Sequence, residues 1–175
     1  MERAGLSAEQ YVVQRINDLP GWSAVNANDL RTNQPGFDVL ARKEDGREVR
    51  VSVKGKAPRG SRHDYEVGKS FRRHPADVYA FINTSAPQPW LVYLAGARSV
   101  VELALVRHQR YQRDRGRDIN ALGSWSPKVS HALLEAMDAR ERWSILDEED
   151  PANVPPVTPA LRTQAERDTP RRTRS

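Results

Sequence analysis

The chain has 175 residues, 38% of them hydrophobic, with four Trp and no Cys. That suffices for one ordinary domain with a real core, and it excludes disulfides, thiolate zinc sites and cysteine nucleophiles. No apolar run reaches the roughly 18 residues of a membrane span, and Met1-Glu2-Arg3-Ala4-Gly5 begins no export signal, so a soluble cytoplasmic protein with no membrane partner is expected.

Residues 6–19 carry the pattern of a first helix. Ser7 and Gln10 form a capping-box pair, Leu6 and Tyr11 are placed as a hydrophobic staple, and Val12, Val13, Ile16 and Leu19 make the inward stripe. Glu9 lies one helical turn before Val13 and leans toward the same face. Pro20-Gly21 ends the helix. Trp22 to Val25 reads as a strand, and Asn26 to Gly36 as a polar connection closed by a Pro35-Gly36 turn. Two short apolar strands joined across Glu44-Asp45-Gly46 then read as a hairpin over 37–54. Strand side chains alternate, so Arg50, Ser52 and Lys54 share one face while Val49, Val51 and Val53 share the other.

Residues 55–75 form a basic connection with a short strand near Tyr65-Glu66-Val67. Val78 to Ile82 is a continuous apolar run, expected as a central strand, and Trp90 to Leu94 is its neighbour. Val100 to Tyr111 reads as a helix and Arg113 to Gly123 as a polar loop. Ser126-Pro127 supplies the cap and first-turn proline of a helix reaching about Arg142, with Val129, Leu133, Leu134 and Met137 inward. Trp143 to Leu146 closes a domain placed at residues 1–147. The Pro- and Arg-containing remainder, 148–175, has few large apolar residues and is expected to be a disordered tail.

The net charge of +5 is concentrated. Residues 42–73 hold eleven Lys/Arg against five Asp/Glu. A basic patch of this kind suits a polyanion, with DNA as the expected partner. Arg50, Lys56, Arg59, Arg62, Lys69, Arg72 and Arg73 are the candidate phosphate contacts. A solvated, arginine-rich surface is the alternative.

Asp38 near the start of the first hairpin strand and Lys54 at the end of the second form the chemically distinctive pair. By itself such a pair reads as an ordinary exposed cross-strand ion pair, worth about 0.2–1 kcal/mol. The surrounding order adds to it. An inward Glu9 on a first helix is followed by Gly36-Phe37-Asp38, by a hairpin ending Val51-Ser52-Val53-Lys54, and by the strand Ala76-Asp77-Val78-Tyr79-Ala80-Phe81. Over residues 6–146 this resembles the PD-(D/E)xK nuclease superfamily, the restriction-endonuclease-like fold.

The resemblance implies an α/β three-layer sandwich, with a central mixed sheet of four to five strands flanked by helices. It also implies Mg²⁺-dependent hydrolysis of DNA phosphodiester bonds, with Mn²⁺ as a substitute, in defence, repair or recombination. Asp38 then matches the metal-binding Asp, Lys54 the catalytic Lys, and Glu9 the first-helix acid directed to the metal. Val53 would offer its backbone carbonyl. Symmetric cutting of duplex DNA would favour a homodimer.

The departure is Ser52, where the family usually carries an acid. A hard cation prefers several charged oxygens, so a second acid has to come from elsewhere. Glu66 and Asp64 lie downstream of Lys54, and Glu9 is the other candidate. Ser52 therefore also motivates a second expectation, a non-catalytic protein that binds nucleic acid or another partner on a degenerate nuclease fold. A hydrolase using Ser52 as nucleophile and Lys54 as base carries little weight, because no strand-to-helix elbow surrounds Ser52.

Overall fold

The computed structural model describes residues 6–30, 36–56, 64–68, 76–121 and 127–168, with the side chain of Lys56 left out. The first helix, α1 (Ala8–Asn17), starts where the capping box predicts. Gln10 N–H donates to Ser7 Oγ at 3.2 Å and Ser7 N–H to Gln10 Oε1 at 2.9 Å. Tyr11, Val12 and Ile16 are its buried residues. Strand β1 (Trp22–Asn26) follows the Gly21 turn, where φ is +76°. One helical turn, α2 (Ala27–Leu30), lies in the stretch expected to be wholly polar connection.

The hairpin forms as expected from β2 (Val39–Lys43) and β3 (Glu48–Lys56). After them come β4 (Asp64–Glu66), β5 (Val78–Asn83), β6 (Val92–Gly96) and α3 (Ala97–Asp114). The main sheet has the order β1-β2-β3-β5-β6. Only the β3–β5 pair is parallel, so the sheet is mixed. The protein is thus an α/β fold built on a five-stranded sheet.

The alternation read from sequence divides the core in two. Val49, Val51 and Val53 face α1, together with Val39, Val78, Ala80 and Ile82. Tyr79, Phe81, Tyr93 and Ala95 point the other way, toward α3 and the small ribbon that β4 forms with residues 128–130. Strand β5 is buried on both faces, which is why Val78 to Ile82 reads as unbroken apolar sequence.

Two expectations fail in the C-terminal third. The helix predicted from Ser126 to Arg142 is instead a strand, β7 (Lys128–Ser130), and a short helix, α4 (His131–Ala136). Val129 pairs with Tyr65 in the ribbon, and Ser130 is the cap that starts the helix: its Oγ accepts the Leu133 N–H at 3.0 Å. Strand pairing has overridden the local Ser-Pro signal. The helix stops at Ala136, and Asp138 takes a left-handed φ of +53°.

The tail expected to be disordered is folded through Asp168. Two 3-10 turns, Trp143–Asp147 and Pro151–Asn153, lead into α5 (Pro159–Arg167). Thr158 caps α5 and Pro159 opens it, and Leu161 and Ala165 bury one turn apart in the α3-side core. Together with residues 139–141, the segment also seals the outer edge of β6. Leu94 N–H donates to Ala139 O at 2.8 Å, and Gly96 N–H to Val154 O at 2.6 Å. The contact at Gly96 is too close for any side chain, because a Cβ there would stand 2.3 Å from Ala152 O. Residues 169–175 lie outside the described residues.

Candidate functional site

The Asp38 end of the hairpin is irregular. Its N–H reaches Val51 O at 2.9 Å, but its C=O turns away to accept Ala27 N–H at 2.8 Å. The β2 backbone therefore offers nothing to Val53, which lies past the last β2–β3 pair, Val39–Val51. The Asp38 side chain fills the gap. Oδ2 accepts the Val53 N–H at 2.7 Å and the Ser52 hydroxyl at 3.3 Å. A strand residue directs its N–H and C=O to the same edge, so the Val53 carbonyl faces the side on which the carboxylate sits.

Ser52 is 1% exposed, so its hydroxyl is held within the fold against Asp38. Two residues on, Lys54 shares the Ser52 face. Its Nζ lies 6.0 Å from the centroid of the Tyr79 ring. Among the described residues Lys54 makes no hydrogen bond or ion pair, and in particular none with Asp38. The exposed ion pair that the two residues alone suggest is not formed. The ammonium and the carboxylate both occupy the C-terminal end of β3 without neutralising each other.

The floor beneath Lys54 is aromatic. Tyr79 stacks on Phe81 with centroids 5.7 Å apart, and Phe81 tilts against Tyr65 at 5.5 Å. The Tyr79 hydroxyl is buried with no hydrogen-bond partner among the described residues, and burial pushes its pKa up to about 12. Tyr79 is not legible in the sequence as part of this site, because the parallel register that sets it opposite Ser52 is fixed by the β3–β5 crossover.

Glu9 is half-buried in the first turn of α1. That turn lies against the end of β3: a Cβ at Gly55 would meet Ala8 Cβ at 3.2 Å. Glu9 therefore approaches from the α1 side of the sheet, whereas Lys54 faces α3. Glu66 stands apart, exposed on the β4–β7 ribbon and 3.7 Å from Lys128 Nζ. Asp64 pairs with the buried Arg107 at 2.9 Å. Among the described residues no three His, Asp or Glu side chains converge as a metal-holding group.

Of the expected phosphate contacts, Arg50 lies toward the opposite end of the Ser52–Lys54 face. Its guanidinium is 3.8 Å from Asp77, whose carboxylate accepts the Arg50 N–H at 2.8 Å. Lys56 closes β3, with its side chain undescribed. Arg59, Arg62, Lys69, Arg72 and Arg73 lie outside the described residues. None of the described helices is long and apolar enough to cross a membrane. Comparison with known proteins found no matching family model, no matching curated protein and no matching solved structure.

Proposed function

We propose that the protein is a metal-dependent nuclease of the restriction-endonuclease-like class, hydrolysing phosphodiester bonds in DNA. The observation that carries this reading is that Asp38, bonded to Ser52 and Val53, and Lys54, on the same face as Ser52, belong to one end of β3 with no ion pair between them. A five-stranded mixed sheet with helices on both faces agrees with the sandwich that the resemblance implies.

The donor set fits a hard cation in kind. Asp38 has a carboxylate anchored at one oxygen, and the Val53 carbonyl faces the same edge, so oxygen ligands of the type Mg²⁺ takes are present. Glu9, at the neighbouring turn of α1, is the second acid best placed to join them. A bound Mg²⁺ or Mn²⁺ would polarise the phosphate and acidify a coordinated water. The protein's own contribution is positional. Val53 N–H and Ser52 Oγ fix the rotamer of Asp38. The Tyr79 face holds the Lys54 ammonium, which orients the attacking water and offsets the charge that builds on the phosphate.

This reading is tested by incubating supercoiled plasmid with purified protein and Mg²⁺ or Mn²⁺, beside Asp38→Asn. Wild type should nick the plasmid and lose that activity in chelator, and the variant should be inert in all conditions. Equal cleavage by both would overturn it.

Ser52 favours a second reading, in which the same fold binds nucleic acid without cutting it. A neutral hydroxyl stands where a second anionic ligand would be, and it donates to Asp38 rather than adding charge. Salt-sensitive retention of DNA with no calorimetric Mg²⁺ binding would select this alternative.

A further inference from the structure

Beyond the Asp38–Lys54 site, the C-terminal end of α3 carries a second concentration of positive charge. Arg113, Arg115 and Arg117 fall within five residues and are all exposed. None of the three forms an ion pair with a described residue, whereas neighbouring Arg110 is held by Asp114 at 3.0 Å. The helix dipole explains one cation in the last turn, worth about 0.3–1 kcal/mol. It does not explain Arg115 and Arg117, which lie beyond the helix.

The segment after α3 is tied down. Ala121 O accepts from Gln112 Nε2 at 2.9 Å and faces His108 Nε2 at 2.8 Å, with both side chains buried. Arg117 N–H donates to Gln112 O at 3.0 Å. Arg115 lies over the Tyr111 ring, 4.3 Å from its centroid. The arginines are therefore displayed from a fixed loop, which lowers the entropy cost of using them.

Helix α3 starts at the end of the sheet opposite Lys54. Helix α3 begins beside the start of β5, where Ala97 N–H donates to Asp77 O at 2.9 Å. Strand β3 runs parallel to β5, so the end of β3 bearing Lys54 is the far end from there. Eighteen helical residues span about 27 Å, enough to run the length of the sheet. Arg107, part-way along α3, pairs with Asp64 at the start of β4.

We propose that Arg113, Arg115 and Arg117 form a duplex-DNA backbone clamp flanking the Asp38–Lys54 site. The proposal rests on the DNA-binding part of the function inferred above and does not require catalysis. Planar guanidinium groups suit phosphate oxygens, and each neutralised phosphate contributes about 0.9 to the salt slope of binding.

The test is fluorescence anisotropy of a labelled duplex with full-length protein in EDTA, over a range of salt. It compares wild type with Arg113→Gln/Arg115→Gln/Arg117→Gln. A charge-matched control, Arg42→Gln/Arg98→Gln/Arg162→Gln, removes three exposed arginines that are each paired with an acid. The clamp variant should lose about 2–3 units of slope with an unchanged melting temperature, and the control should lose less than one. Equal slopes for the clamp variant and wild type would overturn the clamp, as would equal losses in both variants or failure of wild type to bind. The slope is read in EDTA, where no metal-dependent cleavage occurs, so a failed cleavage assay and a failed clamp are told apart.

Discussion

Asp38 Oδ2 accepts the Val53 N–H at 2.7 Å, standing in for a backbone carbonyl that β2 no longer supplies. One side chain thus completes the sheet and presents a carboxylate at the end of β3. Structure and proposed chemistry are separable here, because an amide oxygen can accept the same hydrogen bond. Asp38→Asn should fold with little loss, while Asp38→Ala leaves the Val53 N–H unsatisfied and should cost about 1–3 kcal/mol. Denaturant unfolding measures the difference. Under the nuclease reading both variants lose Mg²⁺ binding by calorimetry.

Ser52 is the position at which added charge is informative. Ser52→Asp restores an acid beside Asp38 and should tighten Mg²⁺ binding, at some cost in stability because the site is buried. Ser52→Ala removes only a 3.3 Å hydrogen bond and should cost about 0.5–1.5 kcal/mol. Calorimetric titration of both variants checks this. If Ser52→Asp binds metal no better than wild type, the Asp38 carboxylate is not part of a cation site.

The C-terminal segment should be indispensable to the fold. Leu161 is buried against the α3-side core, so Leu161→Ala should destabilise by about 2–5 kcal/mol. A shift in the denaturation midpoint without a change in slope would show it. A neutral result would mean that α5 contributes nothing to the core.

Glu141 should make the fold acid-sensitive. Its carboxylate accepts from Val92 N–H at 2.9 Å, Trp143 Nε1 at 2.7 Å and Arg15 at 2.7 Å, joining β6, the following turn and α1. Burial opposes its charge, but these donors prevail and hold its pKa below the usual 4.5. A carboxylate depressed in the folded state stabilises fully above its unfolded pKa. That stability is lost as pH falls through the folded value. Wild-type stability should therefore fall below about pH 4.5, and Glu141→Gln should be less stable at pH 7 with a flatter acid limb. Chemical denaturation from pH 7 to pH 3 measures both.

The parts of this architecture legible in the sequence were those fixed by local periodicity. The capping box at Ser7 and Gln10, the hairpin with alternating Val49, Val51 and Val53, and the unbroken β5 run all follow from spacing. The failures were set by distant contacts. Val129 joins a strand because Tyr65 is there to pair with, and α5 is ordered because Leu161 finds α3. At the candidate site, Asp38 and Lys54 were nameable from the hairpin alone. Tyr79 beneath Lys54 and the bond from Val53 to Asp38 depend on the parallel register and on where β2 turns away, neither of which is written locally.

The most direct test of the central claim is the plasmid-nicking rate of Lys54→Ala against wild type in Mg²⁺, with DNA binding of the two first matched by anisotropy. The variant should bind DNA and nick it at background rate. Cleavage at the wild-type rate by a variant lacking that ammonium would contradict it.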